Sequence, residues 1–99
     1  MAYEIVYSRA AEKQLNALVA YLEIEWSERV ADSFLVVFND KLELLRLNPK
    51  LGRPLERDPS IRKVTLTKHN LLYYTFDLSQ VYLLTIFDTR QDPDKNPLE

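Results

Sequence analysis

Apolar residues recur at helical spacing through the first half of the chain and gather in three short strand-like runs in the second half. Ala11, Leu15, Leu18, Val19, Leu22 and Trp26 fall on one stripe of an amphipathic helix, which predicts a helix over Arg9–Trp26. Ser8 offers an N-cap to it, and Glu12 complements the helix dipole in its first turns. Val30, Phe34, Val37, Phe38, Leu42 and Leu45 repeat the spacing after Ser27, a second N-cap. This predicts a helix over Ser27–Leu47, ending near Asn48 because Pro49 disfavours helical geometry in the residue before it. With almost no loop between them, the two helices form an antiparallel hairpin, and Trp26 is expected to anchor the core where they join.

Before the hairpin, Tyr3–Tyr7 (YEIVY) is β-branched and aromatic and predicts a short strand. After it, NPKLGRPLERDPS holds the only glycine, Gly52, and reads as a connecting loop long enough to carry function. Three strand-like runs follow, IRKVTL, LLYYTF and VYLLTIF, joined by the short polar turns TKHN and DLSQ. The last two are apolar on both faces, which implies a central place in a sheet or cover on both sides. Within the first run, alternation puts Arg62 with Val64 and Leu66 on one face and Lys63 with Thr65 on the other.

The fold class that follows is α+β, a two-layer βααβββ sandwich in which the helical hairpin packs on an antiparallel sheet. Residues 1–99 are expected to form one domain. Leu15, Leu18, Leu22, Phe34, Phe38 and Leu45 are expected to be buried with Val64, Tyr74 and Ile86. The neighbour of the first strand is left open.

Composition narrows the chemistry. There is no cysteine, which removes disulfides, thiolate metal sites and cysteine nucleophiles, and a single histidine with scattered carboxylates supports no metal or cofactor. No apolar run is long enough to span a bilayer, and MAYEIVYS lacks the parts of a secretion signal, so a cytoplasmic location is expected. The net charge of −2 argues against a general nucleic-acid binder. Its distribution is uneven, however: residues 50–70 carry six basic side chains against two acidic ones. Ile61–Asn70 (IRKVTLTKHN) concentrates Arg62, Lys63, Lys68 and His69 without any acid. Such a run is as often a solvated, aggregation-resistant sheet edge as a binding patch.

Four segments taken in order carry a resemblance. Trp26, Val30, Ala31 and Phe34 form the first, LRLNPKLGRP (Leu45–Pro54) the second, IRKVTLTKHNLLYYTFD the third and IFDTRQDPDKNP (Ile86–Pro97) the fourth. Together they resemble the RelE/ParE superfamily of bacterial toxins, the toxic halves of type II toxin–antitoxin modules, and most closely its ParE-like branch. The resemblance implies the same βααβββ sandwich, a cognate antitoxin as partner, assembly as a homodimer or a toxin–antitoxin hetero-oligomer, and a role in plasmid stabilisation through growth inhibition.

The superfamily divides by mechanism. RelE-like members resemble small ribonucleases that cut mRNA in the ribosome, which would make Arg62, Lys63, His69 and Arg90 the catalytic candidates of a metal-independent endoribonuclease. That chemistry needs a base, an acid and cations at the developing phosphorane charge. Against it, Leu71 stands where the third strand would carry an arginine, and the tail after Arg90, QDPDKNPLE, offers neither tyrosine nor histidine. ParE-like members act on DNA gyrase without a recognised catalytic site, and this non-enzymatic reading is preferred. A non-toxic interaction module of the same fold is the remaining alternative.

In each case Arg62, Lys63, Lys68, His69 and Arg90 are the candidate partner-binding residues. Strand geometry divides them: Lys68, His69 and Arg90 lie toward one end of the meander, and Arg62 and Lys63 toward the other. The bland alternatives are a solvated turn for His69, an ion pair with Asp88 or Asp92 for Arg90, and plain sheet packing for Tyr73 and Tyr74.

Overall fold

The computed structural model describes residues 2–99. Strand β1 (Glu4–Tyr7) leads into helix α1 (Arg9–Glu25) and helix α2 (Glu28–Leu47). After a 3-10 turn at Pro49–Leu51 come β2 (Arg53–Pro54), β3 (Arg62–Thr67), β4 (Asn70–Phe76) and β5 (Gln80–Asp88). The sheet order is β1-β5-β4-β3-β2, and both helices pack on one of its faces. None of the described helices is long and apolar enough to cross a membrane.

The caps read from sequence are in place. Ser8 Oγ accepts from Ala11 N at 3.0 Å, and Ser27 Oγ accepts from Val30 N at 3.1 Å. On α2 the buried stripe is Ala31, Phe34, Phe38, Leu42 and Leu45, at helical spacing. Val30 and Val37, expected on that stripe, are exposed because Ala31 takes the inward position one residue along. Leu15, Leu18 and Leu22 of α1, expected to be buried, pack against the core but remain half-buried. Trp26 corrects the expectation of a core anchor: it is 70% exposed. It occupies the C-cap of α1, with φ −123° and ψ −87°, where the backbone leaves the helix and carries the side chain off the inward stripe.

The α+β sandwich stands as expected, with one strand added to the sheet and its wholly antiparallel character corrected. The two-residue β2 pairs antiparallel with β3, through Arg53 with Lys63 and Pro54 with Arg62. β1 runs parallel to β5, Glu4 opposite Gln80 through Tyr7 opposite Leu83, so the sheet is mixed and not wholly antiparallel. The hairpin explains that direction: the chain leaves β1, runs out along α1 and back along α2, and β3–β5 then form an antiparallel meander whose last strand lies beside β1.

Between Tyr73 and Tyr74 the β4–β5 register slips, Tyr73 facing Thr85 and Tyr74 facing Leu83, so that Leu84 bulges. The bulge resets the alternation of β5, and Leu83 and Ile86 join the helix-side core while Phe87 joins the other face. Helix α1 satisfies the polar groups there. Ser8 Oγ donates to Leu84 O at 2.8 Å, and Gln14 Oε1 accepts from Ile86 N at 2.8 Å and from Thr85 Oγ at 3.0 Å.

Gly52 is buried at a close approach. Its N–H donates to Tyr74 Oη at 2.8 Å, while that hydroxyl donates to Pro49 O at 2.7 Å. A Cβ here would meet Tyr74 Oη at 2.6 Å and Lys63 O at 2.8 Å, one of them rigid backbone. Gly52→Ala should therefore destabilise the fold by about 1–3 kcal/mol through overpacking. Thermal unfolding followed by circular dichroism should show Tm falling by roughly 4–8 °C for each kcal/mol. An unchanged Tm would contradict this account of the loop.

Candidate functional site

The five candidate partner-binding residues do not form one patch. Arg62 points to the helix side, where its Nη1 donates to Gly52 O at 2.7 Å and Lys50 O at 3.2 Å, and its guanidinium lies 5.9 Å from the centre of the Phe76 ring. Its donors therefore fasten the loop before β2. Lys63 points to the opposite face, as strand alternation requires, and its Nζ contacts the Glu99 carboxylate at 2.9 and 3.1 Å.

Lys68, His69 and Arg90 sit at the other end of the meander. Thr89 N donates to His69 O at 2.8 Å, which brings the end of β5 to the β3–β4 turn. Arg90 makes the ion pair with Asp88, Nη2 to Oδ2 at 2.8 Å and Nε to Oδ1 at 3.0 Å. That contact, with a smaller contribution from His69, holds the Asp88 carboxyl below the usual carboxylate range. Among the described residues no carboxylate pairs with Lys68, which is exposed.

At this end lies a groove of about 460 Å³ between the helical hairpin and the end of the sheet. Tyr21, Trp26 and Val30 form its helical wall, and His69, Asn70 and Arg90 its sheet wall. Tyr21, Trp26 and Val30 are 46%, 70% and 39% exposed, an unusual run of large apolar groups turned outward at one end of a hairpin. An apolar wall facing a polar rim that includes the Arg90 guanidinium suits an amphipathic segment that carries an acid along one edge. Sequence periodicity assigned Trp26 and Val30 to the core, and so it missed this groove.

The open face of the sheet is also covered. Leu55, Tyr73 and Phe87 form a second small core, against which Ile61, Leu71 and Leu98 pack. The segment Asn96–Glu99 lies over it. Asn96 Nδ2 donates to Tyr73 Oη at 2.9 Å, and Tyr73 Oη donates to Glu99 in a short hydrogen bond. Burial first, and then the Glu99 contact, push the Tyr73 phenol up to about 12. The hydrogen bond from Tyr73, followed by that from Lys63, holds the Glu99 carboxyl below its usual range. Beside Glu99 opens a cleft of about 380 Å³ lined by Arg53, Arg57 and Lys63. Two apolar faces on β4 signalled that cover was needed, but the pattern carried no indication that the tail supplies it.

The four residues named for nuclease chemistry are thus distributed among three places. Arg62 and Lys63 face opposite ways, and only His69 and Arg90 share a cavity. No base, acid and cation cluster converges on one point among them.

In comparisons with known proteins, the family described as ParE toxin of type II toxin–antitoxin system, parDE, matches residues 5–93. Among solved structures, the chain is similar to one in the chromosomal ParDE TA system from P. aeruginosa, at 19% identity and a TM-score of 0.72 over 88% of this chain and 96% of that one. A YoeB/ParE toxin from Agrobacterium tumefaciens is similar at 13% identity and a TM-score of 0.63, over 86% and 96% of the two chains. The YoeB dimer from Staphylococcus aureus aligns at 15% identity with a TM-score of 0.66, over 88% and 97%. No curated protein sequence matches.

The tail contact has a defined pH dependence. A carboxyl whose pKa is depressed on folding contributes stability above its unfolded value and loses it as pH falls through the folded one. In an NMR titration, the amide signals of Leu98 and Glu99 should therefore stay at docked positions through pH 5 and move only below the ordinary Glu value of about 4.3. Glu99→Gln should remove the docked positions of both amides at every pH. A midpoint at or above the ordinary value would show that the Tyr73 and Lys63 contacts do not hold the carboxylate.

Proposed function

The chain belongs to the ParE toxin family of type II toxin–antitoxin systems, and from that premise we propose that it arrests growth by acting on DNA gyrase. It is a toxin of the ParE/RelE type whose partner is an antitoxin. In this reading it works in the cytoplasm as part of a plasmid-stabilisation module, and complex formation with the cognate antitoxin silences it.

The observation that supports gyrase over the ribosome is the dispersal of Arg62, Lys63, His69 and Arg90. A ribonuclease must hold its base, acid and phosphate-binding cations within hydrogen-bond reach of one scissile group. Here Arg62 is committed to two backbone carbonyls and Lys63 to Glu99 on the far face. A toxin that works by binding a protein target has no such requirement, and its net charge of −2 sits well with a protein partner.

In this reading the antitoxin contact falls on the turn-side group: Trp26, Tyr21 and Val30 supply apolar area, Arg90 and His69 line the groove beside them, and Lys68 lies in the adjoining turn. Aromatic anchors flanked by arginine are the usual carriers of binding energy. Engaging Arg90 requires exchange of its Asp88 partner for an antitoxin carboxylate, which favours selectivity more than affinity.

Expression without antitoxin should stop growth, with loss of plasmid supercoiling while mRNA stays intact. Rapid cleavage of mRNA at codon-defined positions, with supercoiling retained, would overturn the gyrase assignment in favour of a ribonuclease. Normal growth of cells holding folded protein would favour a non-toxic interaction module. For the antitoxin surface, Trp26→Ala with Arg90→Ala should weaken binding by about tenfold or more, equivalent to 1.4 kcal/mol or more. Tm should barely move, because both side chains are exposed.

A further inference from the structure

We propose that the open face of the sheet is a second peptide-binding site, closed in this structure by the chain's own Asn96–Glu99, and that its ligand in trans is a peptide carrying an apolar residue directly before an acidic one.

The site is built from both halves of such a dipeptide. Leu98 packs on Leu55, Tyr73 and Phe87, and the next residue, Glu99, receives Lys63 Nζ and the Tyr73 hydroxyl. Tyr73 is wholly buried as a residue, and Asn96 donates to the same hydroxyl. Without a carboxylate, Tyr73 would lose the acceptor of its proton and Lys63 its counter-ion, so the face favours an acidic occupant. Arg53 also contributes to the low pKa of Glu99. The adjoining cleft of about 380 Å³ is lined by Arg53, Arg57 and Lys63 against the single further acid Glu56, a basic excess that leaves room for a longer acidic peptide to run past the position of Glu99.

The occupying segment is held to the sheet through side chains. It follows a 3-10 turn at Pro93–Lys95, belongs to no strand, and contains Pro97. It can therefore open without breaking a sheet ladder. A tethered occupant acts at a local concentration of about millimolar, enough to mask the site from weak ligands in solution. A peptide fits better than a nucleic acid because a phosphate backbone would leave the apolar seat of Leu98 unfilled, and because the chain is net acidic. The inference is independent of the toxin's target.

The test uses this chain with the strap released by Leu98→Ser and Glu99→Gln, its fold checked by a retained cooperative melt. The probe is a fluorescein-labelled peptide with the sequence of Asp94–Glu99, followed by anisotropy. The released variant should bind it at least tenfold more tightly than the intact chain, and adding Lys63→Ala should remove at least tenfold of that affinity. Equal binding by the intact and released chains, no binding by the released chain, or indifference to Lys63 would each overturn the proposal. Tighter binding of a short single-stranded oligonucleotide than of the peptide would overturn the assigned ligand class.

Discussion

Two adjacent tyrosines on β4, both fully buried, impose the constraint on which the rest of this structure depends. Neighbouring residues on a strand face opposite ways, so their rings enter different cores. A buried phenol needs a hydrogen-bond partner, and each hydroxyl finds one in a segment lacking long strand or α-helix. Tyr74 reaches Pro49 and Gly52 on the helix side, and Tyr73 reaches Asn96 and Glu99 on the other. Through Gly52 the first network extends to Arg62, and through Glu99 the second extends to Lys63. Two consecutive cations on β3 thus acquire unrelated roles from two consecutive tyrosines on β4.

This arrangement also separates the functional surfaces. The helix-side network pins the loop after α2 and leaves Arg62 little freedom to serve a ligand. At the far end of the same layer, the helical hairpin outruns its own inward stripe and turns Tyr21, Trp26 and Val30 toward His69 and Arg90. The open-face network keeps Lys63 beside a cleft shared with Arg53 and Arg57. The β5 bulge at Leu84 supports both surfaces. It lets Ile86 face the helices while Phe87 supports the second core, and Ser8 and Gln14 of the helical side satisfy its exposed polar groups.

Much of the fold was legible because it follows from local signals. Ser8 and Ser27 marked the helix starts, Pro49 the end of the hairpin, and three strand-like runs the meander, all within a residue or two of their observed positions. The parallel pairing of β1 was not legible, since a four-residue strand carries no register signal and its partner lies over 70 residues away. Trp26 misled because helical periodicity does not register where the backbone leaves the helix. Among the site residues, the opposed faces of Arg62 and Lys63 and the nearness of Arg90 to His69 followed from strand geometry. Their partners did not, since the Lys63–Glu99 contact spans 36 residues and depends on a tail with no periodic pattern.

Hydrogen–deuterium exchange on Tyr73→Phe and Tyr74→Phe, each compared with the unmodified chain, tests the central claim most directly. If each hydroxyl ties one segment on its own face, Tyr73→Phe should speed exchange in residues 96–99 and leave residues 49–54 unchanged. Tyr74→Phe should do the reverse. Acceleration of both segments by either substitution, or of neither by both, would contradict the account.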